Sequence, residues 1–192
     1  MTNPQDIVVL EKLTEVLEKL HIAYVIGGSM ASSAYGTVRF TQDADITVEP
    51  FGPTAEKFFE TLKDDFYISS DTMYQALKNR SSFNIIHFAT AFKIDVFIQA
   101  DNDFQKQMLS RGRKLRLGNG DKEVSFVSPE DIILLKLDWF RQSGCTSQRQ
   151  WSDVQGVLAG QVKSLDFEYL KNWAKKLELA ELLAKAISES KT

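Results

Sequence analysis

The chain has 192 residues, 43% of them hydrophobic and with 13 Phe and 3 Trp among them, which supplies a sizeable core and excludes a disordered chain. Its 23 basic and 26 acidic residues leave a formal charge of −3, which excludes a grip on nucleic acid by overall charge alone. Its single cysteine, Cys145, excludes an internal disulfide and a Cys-cluster metal site, and the two histidines, His21 and His87, lack ligand-like spacing.

Asn3-Pro4 reads as a helix cap with proline at the first helical position, and Ile7, Leu10, Leu13, Leu17 and Leu20 then recur at helical spacing. A short apolar strand over 23–26 breaks at Gly27-Gly28, and the Ala/Ser-rich segment 29–35 reads as a short helix that Gly36 stops. Alternation of Ala44, Ile46 and Val48 predicts a strand. A helix follows over 54–63 with Phe58, Phe59 and Leu62 inward, then strands over 66–69, 83–88 and 93–99 with a helix over 72–78 between the first two. Segment 104–110 reads as a helix, and Asn119-Gly120 between alternating segments is a hairpin signal. From Ser128-Pro129 onward the pattern is helical, over 128–142, 148–158, 166–177 and 179–188. This predicts an α/β domain over 1–127 and a helical domain over 128–192. No apolar run reaches transmembrane length and the first residues have no basic-then-apolar leader, so the expectation is a soluble cytoplasmic protein with no membrane partner.

Asp43 and Asp45 stand one residue apart in a predicted strand, where aspartate is depleted. Residues i and i+2 share a strand face roughly 7 Å apart, so the two carboxylates lie side by side and repel unless a cation sits between them. Mg²⁺ takes carboxylate, water and phosphate oxygens, and two such ions about 3.5–4 Å apart clamp the attacking and leaving oxygens of a nucleotidyl transfer. Asp95 interrupts Ile94, Val96 and Ile98 in "KIDVFI" and supplies a third carboxylate. If its strand neighbours the Asp43 strand at roughly 5 Å, all three converge. Upstream, Gly27-Gly28-Ser29 ends a strand and opens a helix, where free backbone N–H groups favour a phosphate and a side chain would obstruct it.

This arrangement resembles the nucleotidyltransferase superfamily of the DNA polymerase β type, with its apolar strand, Gly-Gly or Gly-Ser, short helix, Asp-x-Asp and later third acid. The stretch "GGSMASSAYGTVRFTQDADITV" and the later "SPEDIILLKLDWF…SQRQWSDVQGVL" look most like the bacterial branch holding AbiEii-type toxins and 2″-aminoglycoside nucleotidyltransferases, over about residues 20–160. The resemblance implies an α+β fold, a mixed sheet with flanking helices followed by a C-terminal helical bundle. It also implies Asp43, Asp45 and Asp95 as catalytic metal ligands, two Mg²⁺ ions (or Mn²⁺), and an NTP as substrate. Gly27, Gly28 and Ser29 would meet the triphosphate, although helix capping explains Ser29 equally well. The acceptor stays open among tRNA, a protein side chain and a small hydroxylated molecule, and the toxin branch adds an antitoxin partner.

Arg39 has two readings, a triphosphate ligand or a salt bridge to the acidic strand. Lys136 lies in a helix that reads as apolar nearly all round, where a lysine is costly unless paired. A nucleotide phosphate is the favoured partner, with Asp138 or another acid as the alternative. Arg149 and Asp153, spaced i and i+4, read first as a surface ion pair, and the branch resemblance adds a role for Asp153 as base toward the acceptor hydroxyl. The basic cluster Arg111, Arg113, Lys114 and Arg116 reads as a solvated strand face, with an RNA contact as the alternative. His87 and Cys145 read as packing residues. The rivals are an Asp-x-Asp glycosyltransferase, which the Gly-Gly-Ser and Asp95 disfavour, and a non-catalytic member of the same fold, which the intact carboxylates disfavour.

Overall fold

The leucines of the N-terminal segment form one stripe of helix α1 (Pro4–Lys19), which buries Leu10, Leu13 and Leu17 together with Val9 and Val16. In the computed structural model, which describes residues 4–117 and 122–190, the chain forms two compact units. One comprises Met1–Gly27 and Phe40–Phe126, the other Gly28–Arg39 and Val127–Thr192. Asn3, Asn119 and Gly120, which carried the first cap and the hairpin signal, lie outside the described residues.

The first unit is built on a mixed sheet of seven strands among the described residues: β1 (Tyr24–Ile26), β2 (Asp43–Val48), β3 (Phe66–Ile68), β4 (Ser82–His87), β5 (Lys93–Ile98), β6 (Arg113–Arg116) and β7 (Glu123–Phe126). Their order across the sheet is β3-β4-β5-β2-β1-β7-β6. β2 runs parallel to β5 and antiparallel to β1, and β6 and β7 pair antiparallel. Alternation in β2 and β5 sorts the two faces. Ala44, Ile46, Val48, Ile94, Val96 and Ile98 are buried, whereas Asp43, Asp45, Lys93 and Asp95 are half-buried on the opposite face.

Helices α3 (Ala55–Leu62), α4 (Ser70–Asn79) and α5 (Asp103–Ser110) complete this unit. α3 buries Phe58 and Leu62 but leaves Phe59 half-buried. Ser69 caps α4 and Asn102 caps α5, each accepting a hydrogen bond from a backbone N–H of the first turn.

The second unit is helical: α2 (Gly28–Tyr35), α6 (Pro129–Gln142), α7 (Gln148–Gln161), α8 (Phe167–Lys176) and α9 (Ala180–Glu189). α2, early in the chain, packs on α6 and α7. Ser128 caps α6 by accepting from Asp131 N at 3.1 Å while its hydroxyl donates to Asp131 Oδ2 at 2.7 Å, and Tyr169 OH on α8 donates to the other oxygen at 2.6 Å. α6 is less uniformly apolar than its sequence suggested, because Trp139 is exposed and Asp138 half-buried.

Two sequence expectations change here. α2 stops at Tyr35, just before Gly36, as expected, but not through a left-handed cap, since among the described residues the positive-φ glycines are Gly28 and Gly144. The small size of Gly36 serves packing instead: a Cβ on Gly36 would stand 2.5 Å from the Gly156 carbonyl carbon on α7, and one on Gly160 would strike the Tyr35 carbonyl oxygen. Glycines one turn apart on α7 therefore let the end of α2 lie directly on it. Cys145 is not a packing residue either: it is exposed in the turn after α6. His87 does pack, its ring centroid 5.1 Å from that of Phe66.

Candidate active site

Three of the carboxylates expected to act together stand on adjacent strands. In the parallel pairing of β2 with β5, Asp45 is directly opposite Asp95 and Asp43 is directly opposite Lys93. All four side chains share one face, so β2 and β5 present three carboxylates and one ammonium in a single row. The Lys93 Nζ is 2.7 Å from Asp95 Oδ2. That hydrogen bond, followed by the attraction of the Asp95, Asp43 and Asp45 charges, outweighs partial burial and holds the Lys93 ammonium above its ordinary pKa. Thr41 Oγ1 donates to Asp43 Oδ1 at 2.9 Å and fixes that carboxylate at the start of β2. Asn84 on β4 pairs in register with Asp95 from the other side.

Among the described residues no three carboxylate, imidazole or thiolate groups are yet gathered round one point as a metal requires. The donor set nevertheless suits a hard divalent cation. It is all oxygen, anionic and half-exposed, and it already collects positive charge in the form of Lys93.

A cleft of about 520 Å³ opens beside this row, lined by Asp6, Phe40, Gln42, Asp43, Thr90 and Lys93 among others. Its size falls in the range of small-molecule sites, roughly 300–1,000 Å³. Phe40 lines it and is 60% exposed.

Gly27 belongs to the first unit and Gly28 to the second. Gly27 N donates to Asp45 O at 2.8 Å, extending the β1–β2 ladder by one residue. Gly28 then opens α2 with φ +55°, a left-handed conformation that costs any residue with a Cβ.

In the helical unit a second cluster forms around Asp153 on α7. Arg39 Nε donates to Asp153 Oδ1 at 3.0 Å and Arg39 Nη2 to Asp153 Oδ2 at 3.2 Å, a forked pair. Lys136 Nζ on α6 lies 2.8 Å from Asp153 Oδ2. The same Arg39 Nη2 also donates to Ser29 Oγ on α2. The side chains of Lys136 and Asp153 are only 7% and 6% exposed. Burial alone would raise the Asp153 pKa, but the hydrogen bonds from Arg39 and Lys136 and their charges outweigh it and hold the carboxyl below its ordinary 3.8.

Lys136 is a buried cation with a partner, as its sequence context requires, and the protein acid that meets it is the alternative the sequence left open. That acid is Asp153, while Asp138 is engaged with Arg141 at 2.5 Å and Gln142 at 2.7 Å. The expected Arg149–Asp153 pair is replaced by the forked pair from Arg39, 114 residues away in the chain. Lys93 is a member of the β2–β5 row not singled out in the sequence analysis. Its i, i+2 spacing to Asp95 on a strand was the signal that would have found the pair.

The basic cluster lies on or beside β6, the last strand of the sheet. Lys114 is 3.6 Å from Glu18 and stands over the Tyr24 ring at 5.7 Å from its centroid, and these charges blunt a sheet edge.

The fold matches solved nucleotidyltransferase-like structures. The solution structure of the antibiotic-resistance factor ANT(2″)-Ia superposes with a TM-score of 0.56 at 15% identity, covering 94% of this chain and 96% of that one. An antigenic nucleotidyltransferase-like protein from Paracoccidioides brasiliensis gives 0.52 at 17% identity, with 95% and 91% covered. A nucleotidyltransferase described as putative, from Thermotoga maritima, gives 0.51 at 16% identity, with 80% and 96% covered. No curated protein matches the chain in sequence. Among the described residues no helix is long and apolar enough to cross a membrane. A family model described as "Nucleotidyl transferase of unknown function" matches residues 7–178, nearly the whole chain, and the protein belongs to that family, DUF2204.

Proposed function

We propose that this chain transfers a nucleoside monophosphate from an NTP to a hydroxyl group on a small-molecule acceptor, releasing pyrophosphate. The observation that carries the proposal is the register of β2 on β5, which brings Asp43, Asp45 and Asp95 to one face in adjacent positions. Divalent ions of the Mg²⁺ or Mn²⁺ type, when bound by these three carboxylates, would supply charge neutralisation at the triphosphate and a lowered pKa at the acceptor hydroxyl.

The remaining parts follow from the chain's own side chains. Thr41 holds Asp43 in place through the 2.9 Å hydrogen bond. Gly27, Gly28 and Ser29 are assigned to the triphosphate, as the superfamily resemblance implies, and the net positive charge of Arg39 and Lys136 around Asp153 suits an anion. Asp153 fits a positioning role better than that of a base. Both its oxygens are bonded to cations and its pKa is lowered, so it orients Arg39 and Lys136 and has little tendency to take a proton. In the reaction the acceptor oxygen bonds to the α-phosphorus and the bond to the bridging oxygen breaks. Pyrophosphate leaves with that electron pair, and the hydroxyl proton passes to solvent.

A small acceptor is favoured over RNA by the cleft beside Asp43. Its lining carboxylates, Asp6 and Asp43, suit a cationic, hydroxylated compound. ANT(2″)-Ia, one of the structures with this fold, has been solved in complex with adenylyl-2″-tobramycin. The AbiEii-like alternative would add an antitoxin partner, and the small-molecule reading requires none.

The test is incubation with each α-labelled NTP, Mg²⁺ and, in separate arms, hydroxylated amines, cellular RNA and cellular protein. Label should pass to a small molecule with one pyrophosphate released per transfer, and Asp45→Asn should abolish it. Label on RNA or protein would move the acceptor assignment. NTP binding without transfer in any arm would favour a non-catalytic member of the fold.

A further inference from the structure

Lys93 is the one residue of the β2–β5 row that the proposed chemistry does not use. Its ammonium bonds Asp95 at 2.7 Å, and its backbone pairs with Asp43 across the parallel ladder. It therefore sits among the carboxylates that would hold a metal. The pair is not locked: the side chains of Lys93 and Asp95 are 40% and 25% exposed. A lysine offers a compact point charge on a flexible stem, whereas an arginine would fork onto the carboxylate and stay. Lys93 also lines the cleft beside Asp43, which gives its released end somewhere to go.

We propose that Lys93 is the built-in counter-ion of the metal-free protein, occupying the cation position on the carboxylate row until a divalent ion displaces it. The inference rests on the metal-binding reading of Asp43, Asp45 and Asp95. Binding of metal alone then has to break the Lys93–Asp95 pair and accept a neighbouring positive charge. Metal arriving with a triphosphate brings anionic oxygens that compensate the released ammonium, so nucleotide and metal reinforce each other's binding. The lysine thus suppresses occupancy by metal alone while keeping three like charges from repelling in its absence.

The test measures Mn²⁺ binding without nucleotide, by electron paramagnetic resonance or calorimetry, for the wild type, Lys93→Met, Lys93→Gln and the charge-retaining Lys93→Arg. Both uncharged variants should bind Mn²⁺ tighter by up to about fivefold, the ratio that corresponds to the upper end of a partly exposed ion pair. Lys93→Arg should bind no tighter than the wild type. In EDTA the uncharged variants should melt lower than the wild type, and Mg²⁺ should restore them. An ion pair with only a structural role would reproduce the melting change but not the gain in Mn²⁺ affinity. Equal Mn²⁺ affinity in the wild type and both uncharged variants would overturn the counter-ion role and leave the metal reading standing. Absence of saturable Mn²⁺ binding in every protein, even with a non-hydrolysable NTP, would remove the metal reading and the inference with it.

Discussion

The two charged clusters solve opposite problems in opposite ways. On β2 and β5 three carboxylates share a half-exposed face with one ammonium, an excess of negative charge held loosely. Around Asp153 one buried carboxylate is shared by a guanidinium and an ammonium, an excess of positive charge held tightly. The comparison teaches which parts are open to a ligand. A half-exposed row whose lone cation sits on a flexible stem gives way to a stronger cation. A buried carboxylate–ammonium pair with short bonds, joined by a partly exposed guanidinium, is a fixed scaffold that still has net charge to offer an anion.

The contrast breaks most visibly at Asp153. Asp153→Ala would strand Lys136 in the interior, and unfolding in urea should show a loss of about 3–5 kcal/mol, as for other broken buried pairs. Lys136→Met should cost less, on the order of 1–3 kcal/mol, because Arg39 still satisfies both oxygens of the carboxylate. A Lys136→Met protein as stable as the wild type, but weaker in NTP binding, would return Lys136 to the purely phosphate-binding role that its sequence first suggested.

Packing inside the helical unit gives the next effect. Gly160→Ala would push a methyl into the Tyr35 carbonyl oxygen, and the expected loss is about 1–3 kcal/mol by overpacking, read from the same urea curves. Gly52→Ala is the control, because nothing lies within 4 Å of a Cβ there.

The smallest effect is in acid. The Asp153 carboxyl is held below its ordinary 3.8, so its ion pairs contribute fully above that value and are lost as pH falls through the folded pKa. As pH falls below about 4, the wild type should therefore lose more stability than Asp153→Asn does. Parallel pH profiles would show that the trio adds nothing through that carboxyl.

The carboxylate row was legible in the sequence because a strand's period of 2 is strict. An Asp at every second place in an apolar alternation has one geometric meaning, and Asp95 repeats it in "KIDVFI". The buried lysine was legible as a difficulty, since an ammonium among Ile132, Ile133, Leu134 and Leu137 needs a partner. Its solution was not. The partner comes from another helix, and local spacing offered Arg149 for Asp153 when tertiary packing supplied Arg39. Gly36, Gly156 and Gly160 carried no local signal of contact either, because close approach of α2 and α7 is a property of two distant segments. Cys145 was misplaced for a related reason: composition says that cysteine is often buried, but this one stands in a turn.

The loosely neutralised carboxylates on β2 and β5 are proposed as a metal site for a nucleotide. Calorimetry with Mn²⁺ and a non-hydrolysable NTP tests this assignment on the wild type and on the Asp43→Asn/Asp45→Asn double variant. Saturable, nucleotide-dependent Mn²⁺ binding is expected in the wild type and none in the double variant, with the far-UV circular dichroism of both alike. Equal binding by the two proteins would contradict the assignment.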